Sequence, residues 1–298
     1  MEPMKAVLTD ERFSDPGWIF ERKLDGIRCL AFKADTHVRL RSRNDLSLNG
    51  RFPEIAAALE REPATNVVLD GEVVAFDGAQ TSFARLQQRG ERPTPVFFYV
   101  FDVLRAAGED VTDQPLRVRK ALLRRTLAFA DPIRFTTHRN CDGEAFYAEA
   151  CRQGWEGLIA KRATAPYTHG RSRDWLKFKC SAEQELVIGG YTAPRGSRTE
   201  LGALLLGYFA GNELRYAGKV GTGFTQAMLH ELASKLTPLR RDQSPFGDEI
   251  RERSVTWVAP QLVAQVGFSE WTRDGRLRHP RFLGLRDDKA ARDVIREA

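Results

Sequence analysis

The sequence predicts an α+β protein of two domains. Antiparallel sheets with helices are expected in residues 1–183, and a smaller β-barrel in residues 184–298. Three observations predict this. Strand-like and helix-like segments alternate through the first half. Near Ser181 the pattern changes to successive strands with Gly-rich turns, broken by one helix. The length of 298 residues suits two ordinary domains or one large one, with enough chain to bury a core unaided.

The elements follow in order. Trp18–Phe32 and Val38–Ser42 read as strands around the turn-prone stretch Lys33–His37. Pro53 sits just inside a helix start, so Phe52–Arg61 reads as a helix. Val67–Phe76 is rich in Val, and Pro95–Leu104 combines Val with aromatics; both suit strands. Phe83–Gln88 is a short helix between them. In Pro115–Ala130 the residues Leu116, Leu122, Leu123 and Leu127 share a helical face. Gly143–Gln153 is another helix, and Gly157–Lys161 and Trp175–Lys179 are short strands. Beyond the change of pattern, Leu186–Tyr191, Ala203–Phe209 and Leu214–Val220 are strands. Helix Phe224–Leu236, a polar loop over Thr237–Gly247 and strands Val255–Val258 and Leu262–Ser269 complete the series. Strands broken by a single helix in so short a domain point to an OB-fold.

Composition narrows the class. Apolar residues make up 42% and charged residues 29%, a globular balance that excludes fibrous and wholly disordered chains. The longest apolar stretches, such as Pro95–Val103 and Leu201–Ala210, are strand-length and too short to span a bilayer. The first residues carry no apolar segment of the signal-peptide kind, so the expected location is the cytosol. The four cysteines, Cys29, Cys141, Cys151 and Cys180, form no CxxC pair; they are expected to be reduced and structural. The net charge of +6 favours a polyanionic partner. It is spread evenly: residues 1–183 carry 29 basic and 26 acidic side chains, the remainder 17 and 14, so each part is +3. Nucleic-acid contacts are therefore expected from folded surfaces, not from a basic tail.

Chemistry concentrates in a few segments. Glu21–Arg28 brings together a nucleophile candidate (Lys23), a carboxylate (Asp25), a flexible Gly26 and an arginine suited to phosphate, Arg28. Lys23, flanked by cations, is expected to lose its proton easily, because like charges disfavour the ammonium form. Ser42–Asn44 follows a strand and contains Arg43. Leu69–Val74 places Asp70 and Glu72 in an otherwise apolar strand. Phe98–Asp102 puts aromatics on both faces of a strand, with Tyr99 and Phe101 sharing one. Glu156–Arg162 sets an acid and two bases, Lys161 and Arg162, around a buried strand. Trp175–Lys179 alternates, so Trp175, Lys177 and Lys179 point one way. Two neighbouring ammoniums on one strand face call for a polyanion between them.

In this order, the segments resemble the nucleotidyltransferase motifs of ATP-dependent DNA ligases, most closely the ligase module of bacterial non-homologous end-joining ligases. The resemblance covers nearly the whole chain. It extends to Arg281–Lys289, which is similar to the last motif of the OB domain in that family. It implies a nucleotidyltransferase (adenylation) domain followed by an OB-fold domain. It implies ATP as cofactor, held covalently as AMP on Lys23, with Mg²⁺ or Mn²⁺. By resemblance, Glu21 reads adenine and Phe101 stacks on it. Arg28, Arg43 and Glu72 contact ribose or phosphate, and Lys161 adds a further cationic contact. Glu72 and Glu156 work beside the metal. Asp25 serves later steps on DNA or the placing of the metal. Lys177 and Lys179 grip the α-phosphate, and Arg286, Asp288 and Lys289 orient the leaving pyrophosphate. This last role implies a swing of the second domain about a hinge near Ser181–Gln184.

The implied reaction joins a 5′-phosphate to a 3′-hydroxyl in nicked duplex DNA, in repair or end joining. The expected DNA contacts are phosphates, with Arg171, Arg173, Arg195, Arg198 and Lys219 as candidates. A NAD⁺-dependent enzyme is disfavoured by the short stretch before Lys23 and the absence of paired zinc cysteines. A Ku-type end-binding protein and separate polymerase and nuclease proteins are the expected partners, and the chain is expected to be a monomer without a membrane partner. Two other readings stay open: an RNA ligase or GTP-using capping enzyme, which share the lysine motif, and a non-catalytic OB-fold nucleic-acid-binding protein.

Overall fold

The structure, a computed structural model, describes residues 1–87, 89, 93–180, 182–194, 200–252, 254–272 and 274–297. The chain divides into two compact units, Met1–Cys180 and Ser181–Ala298.

The first unit runs β1 (Met4–Leu8), β2 (Trp18–Arg22), β3 (Ile27–Ala34), β4 (His37–Ser42), α1 (Pro53–Arg61), β5 (Val67–Asp77), β6 (Gln80–Thr81) and α2 (Phe83–Gln87). It continues with β7 (Val96–Ala106), β8 (Glu109–Asp110), α3 (Leu116–Thr126), β9 (Ile133–Phe135), β10 (His138–Asn140), α4 (Gly143–Arg152), β11 (Gly157–Arg162) and β12 (Gly170–Lys179). These strands form two sheets. One has the order β1-β12-β11-β2-β10; the other has β4-β3-β5-β7-β8, with β6 on β5 and β9 on β7. The ladders are antiparallel except for β1 with β12 and β7 with β9, which are parallel.

Trp18–Phe32 is not one strand. Its first part lies in one sheet and its second in the other, with Lys23–Gly26 crossing between them. The turn expected over Lys33–His37 is tighter too: β3 keeps Lys33 and Ala34, and Asp35 turns with φ +51°. Lys33 stays because its buried ammonium donates to the carbonyls of Leu59 (2.9 Å) and Glu62 at the end of α1. A cation there answers carbonyls that no helical N–H reaches.

Each sheet buries one face. Trp18, Phe20, Leu158, Ala160, Leu176 and Phe178 pack with Phe146 and Ala150 of α4. Ile27, Cys29, Leu69, Val73, Phe98 and Val100 pack with Ile55 and Leu59 of α1 and Leu123 of α3. The opposite faces carry a smaller apolar cluster, Met4, Leu30, Val68, Phe101, Leu104, Tyr167 and Trp175. The polar chemistry gathers around this cluster. Cys151 and Cys180 are joined as a disulfide, which corrects the expectation of reduced thiols. The fold brings the end of α4 beside the end of β12, although 29 residues separate the two in sequence. Cys29 is a buried thiol and Cys141 an exposed one.

The second unit contains β13 (Ala182–Thr192), β14 (Leu204–Ala210), β15 (Glu213–Val220), α5 (Gln226–Leu236), β16 (Arg240–Arg241), β17 (Val255–Val258), β18 (Val263–Phe268), β19 (Glu270–Trp271), β20 (Leu277–Arg278) and β21 (Arg281–Leu285). The long β13 is shared by β14, β17 and β18, and β18 continues to β21. The N–H of Phe282 in β21 donates to Thr222 O just past β15 (2.9 Å), and Phe282 stacks on Phe224. The sheet thus curls on itself into an OB-type barrel. Thr225 caps α5 by accepting from Met228 N at 3.2 Å, a favourable residue for that position. Ala182, Glu183 and Gln184, part of the expected hinge, lie in register opposite Phe268, Gly267 and Val266 of β18. Ser181, the first residue of that stretch, lies outside the described residues. No helix among the described residues is long and apolar enough to cross a membrane.

Candidate active site

The crossing Lys23–Gly26 is pinned at both ends by glycines. A Cβ on Gly26 would lie 2.3 Å from Val73 O. Gly157 has φ +143°, and a Cβ there would lie 1.8 Å from Phe178 O. Side chains at either position would push the backbones apart. The N–H of Lys23 donates to Gly157 O at 2.9 Å. Asp25 fastens the rest: its N–H donates to Thr81 Oγ1 (3.0 Å), and its Oδ2 accepts from Phe83 N (3.1 Å) at the start of α2.

Lys23 Nζ is ion-paired with Glu156 Oε1. Burial works against its charge. The carboxylate of Glu156 outweighs that, with smaller contributions from Asp25 and Glu72, and the Lys23 pKa is raised. The expectation of an easily deprotonated lysine is corrected here: carboxylates surround the ammonium. Glu156 Oε2 is buried without a hydrogen-bond partner among the described residues. No cluster of three or more His, Cys, Asp or Glu side chains fit for a metal occurs among the described residues. A Mg²⁺-like cation needs less, because it keeps its waters and uses one or two carboxylates with substrate phosphates. The open oxygen of Glu156, with Glu72 acting on the same lysine, fits that kind of ion.

Strand register gathers the other residues. Ile159 of β11 lies opposite Glu21 on one side and Lys177 on the other. Lys161 lies opposite Ile19 and Trp175, and Gly157 opposite Lys179. Cross-strand partners share a face. Glu21, Lys161, Trp175, Lys177 and Lys179 therefore lie on one face of the sheet, with the α4 core behind.

Glu21 is 2% exposed and held by two lysines. Its Oε1 accepts from Lys120 Nζ, and its Oε2 pairs with Lys161 Nζ at 2.6 Å. Burial disfavours its charge, but the two cations outweigh that and lower its pKa. For Lys161 burial wins over the attraction of Glu21, and its pKa falls to about 8. Its ammonium also lies 4.1 Å from the Phe101 ring centroid and 4.0 Å from that of Trp175.

Phe101 sits at a bulge. Asp70 faces Asp102 and Gly71 faces Val100, so Phe101 is the extra residue of β7. Its ring is buried, edge-on to Trp175 (5.8 Å), with the Arg28 guanidinium 4.7 Å away. Tyr99 meets other partners: the Phe76 ring, and Arg134, which donates to its hydroxyl at 3.1 Å. Arg28 forks onto the fully buried Asp70, with Nε and Nη2 at 2.5 and 2.6 Å from the two carboxylate oxygens. Tyr167 donates to Asp70 at 2.6 Å and accepts from Met4 N at 2.8 Å. Glu72 lies opposite Arg28 in the β3–β5 ladder.

The remaining expected residues have these surroundings. Arg43 occupies the turn after β4 and acts electrostatically on Glu2. Arg286, Asp288 and Lys289 belong to the second unit. There Arg286 forks onto Asp288 at 2.8 and 2.9 Å, and Lys289 pairs with Glu185 at 2.9 Å. Of the basic candidates, Arg171 and Arg173 are exposed on β12, and Lys219 pairs with Glu252 at 2.8 Å. Arg195 and Arg198 lie outside the described residues. Sequence reading misses Lys120 and Tyr167 altogether, and marks Asp70 only as a carboxylate in an apolar strand. The available signal for Lys120 was its place, with Arg119, between Leu116 and Leu123 on the buried stripe of α3.

Comparison with known proteins adds the family. The ATP dependent DNA ligase domain matches residues 3–179, and the ATP dependent DNA ligase C terminal region matches residues 197–289. The chain is 41% identical over 291 residues to the multifunctional non-homologous end joining protein LigD of Pseudomonas aeruginosa, covering 94% of this chain and 35% of that protein. It is 40% identical over 286 residues to the corresponding Mycobacterium tuberculosis protein, covering 94% and 37%. The chain thus spans little more than a third of these relatives. A solved structure of mycobacterial DNA ligase D complexed with ATP and MES is 37% identical, with a TM-score of 0.73, covering 99% of this chain and 98% of that one. With both of its units matched in this way, the chain belongs to the ATP-dependent DNA ligase family.

Proposed function

We propose that this chain seals nicks in duplex DNA through a covalent lysyl-AMP, in the repair or end-joining setting its relatives' names describe. The observation that carries the proposal is Lys23. It sits on a glycine-pinned crossing between two sheets, with Glu156 at its ammonium and Lys177 and Lys179 on the neighbouring face.

In the first step Lys23 Nζ bonds to the α-phosphorus of ATP, and the bond from that phosphorus to the leaving pyrophosphate breaks. The lysine proton must leave before the N–P bond forms, and the carboxylate in contact with it is Glu156. Lys177 and Lys179 would neutralise charge on the transferring group. Glu21 and Phe101 would read and stack the base, and Arg28, fixed by Asp70, would hold ribose or phosphate. Glu156 and Glu72 would hold a divalent cation, which supplies positive charge to the phosphate oxygens. AMP then passes to a 5′-phosphate and the N–P bond breaks. The adjacent 3′-hydroxyl attacks that phosphate, and AMP leaves. Arg286, Asp288 and Lys289 are assigned to the leaving pyrophosphate, and an end-binding protein is the natural partner at a broken end.

The test is labelling. The purified chain is incubated with α-labelled ATP and Mg²⁺ or Mn²⁺, then denatured. We expect label on the parent and none on Lys23→Ala. Parent that stays unlabelled, even after pyrophosphate treatment to clear bound AMP, would sink the proposal. A nick-joining assay with DNA and RNA strands separates a DNA ligase from an RNA ligase.

A further inference from the structure

The base-reading carboxylate is not alone: a lysine outside every recognised motif holds it. Lys120 lies on α3, 3% exposed. Its Nζ donates to Glu21 Oε1, to Thr136 O at 3.1 Å and to Phe101 O at 3.4 Å. One ammonium therefore ties together the residue assigned to the edge of the base and the residue assigned to its face. Three N–H donors meet three acceptors, so the group has a single orientation.

We propose that Lys120 is the positioning residue for nucleobase selection, fixing Glu21 as a charged, acceptor-only group so that a 6-amino purine is taken and a 6-oxo purine refused. This rests on the assignment of Glu21 to the base. An ionised carboxylate has about four acceptor sites and no donor. Two of them answer Lys120 and Lys161, which leaves acceptors for an amino group. A 6-oxo purine presents an oxygen there, and two acceptors without a proton between them repel. Lys161 cannot do this work alone, because burial pulls it toward neutrality and its ammonium is shared with the Phe101 and Trp175 rings. A buried carboxylate stripped of one cation either takes up a proton or shifts, and a protonated Glu21 donates to a 6-oxo group.

The experiment compares self-adenylylation from ATP with the equivalent labelling from inosine triphosphate, which carries oxygen at position 6. It uses the full chain and the variants Lys120→Met, Lys120→Gln, Lys120→Arg and Glu21→Gln. Lys120→Gln still donates to a carbonyl but lacks the charge. We expect both neutral variants to reduce the ATP-over-inosine preference in kcat/KM by about 10- to 100-fold. The loss should come through KM, with kcat for ATP within about threefold, since Lys120 touches no reacting atom. Lys120→Arg should keep most of the preference. In a Glu21→Gln background the Lys120 changes should add nothing, which a general packing defect would not reproduce.

The outcomes separate the two layers. If Glu21→Gln removes the preference and the neutral Lys120 variants keep it, the Lys120 proposal is overturned and the base assignment stands. Should Glu21→Gln keep the preference, the assignment fails and the proposal with it. Failure of both neutral variants to fold would make Lys120 a structural group and overturn the proposal equally.

Discussion

At the scale of single residues, the site and its support are built from the same kind of contact: a buried charge with its opposite. Asp102 and Arg119 are both 0% exposed and meet through two hydrogen bonds of 2.8 Å. Arg119 also donates to Ala165 O at 3.1 Å. Such a pair contributes little over an apolar replacement, but breaking it strands a buried charge. Asp102→Asn should therefore destabilise the chain by about 3–5 kcal/mol, read by urea unfolding. The double change Asp102→Leu with Arg119→Met should recover most of that loss. A single variant within about 1 kcal/mol of the parent would contradict this account of the pair. Ordered motifs with fixed spacing survive without coordinates, and sequence reading singles out Glu21, Lys161, Lys177 and Lys179, which strand register places on one face. It missed the partners. Lys120 reaches Glu21 across 99 positions and Tyr167 reaches Asp70 across 97, and no local pattern encodes such distances. The same blindness reversed the Lys23 environment: its neighbours in sequence include Arg22, but its neighbour in space is Glu156.

Among the elements, the strands legible in sequence were short runs rich in Val, Leu and aromatics, and the errors sit where tertiary contacts interrupt one. The stretch from Trp18 to Phe32 keeps its apolar residues across the break, so only the Asp25–Gly26 pair hints that it changes sheet. Phe101 is displaced from simple alternation by a bulge, as the extra residue of β7 opposite β5. The disulfide belongs to this scale too. It joins the last turn of α4 to the residue after β12, close to two parts of the site. Cys180 N donates to Glu156 O at 3.0 Å, and Tyr147 of α4 donates to Lys179 O at 2.9 Å. Closing a loop of this length stabilises by about 3–4 kcal/mol in the chain-entropy account. Cys151→Ser should lower the unfolding midpoint accordingly, and reductant should lower the parent by the same amount while leaving the variant unmoved. A parent insensitive to reductant at its midpoint would mean that the bond contributes nothing to stability.

For the molecule as a whole, charge is the property that bears on the proposed DNA substrate. The net +6 divides equally between residues 1–183 and the remainder, so neither part alone is the basic one. A nick has no fixed sequence, and a protein that must accept any nick is served by phosphate contacts and hindered by base readout. Phosphate contacts release counterions, so affinity should fall steeply and linearly on a log–log plot against salt. Arg171 and Arg173 are exposed on β12, the strand that also carries Lys177 and Lys179. If both meet the backbone of the duplex, replacing them together with Ala should reduce the slope by about 1.8, near 0.9 for each phosphate left unneutralised. The reduction should be the same for nicks of different sequence, because phosphates carry none. The measurement is binding of a nicked duplex by fluorescence anisotropy between about 50 and 200 mM salt, on the parent and the double variant. An unchanged slope would move the DNA to another face of the molecule. A slope that changed for one sequence and not another would mean that β12 reads bases, for which the proposed sealing of nicks has no use.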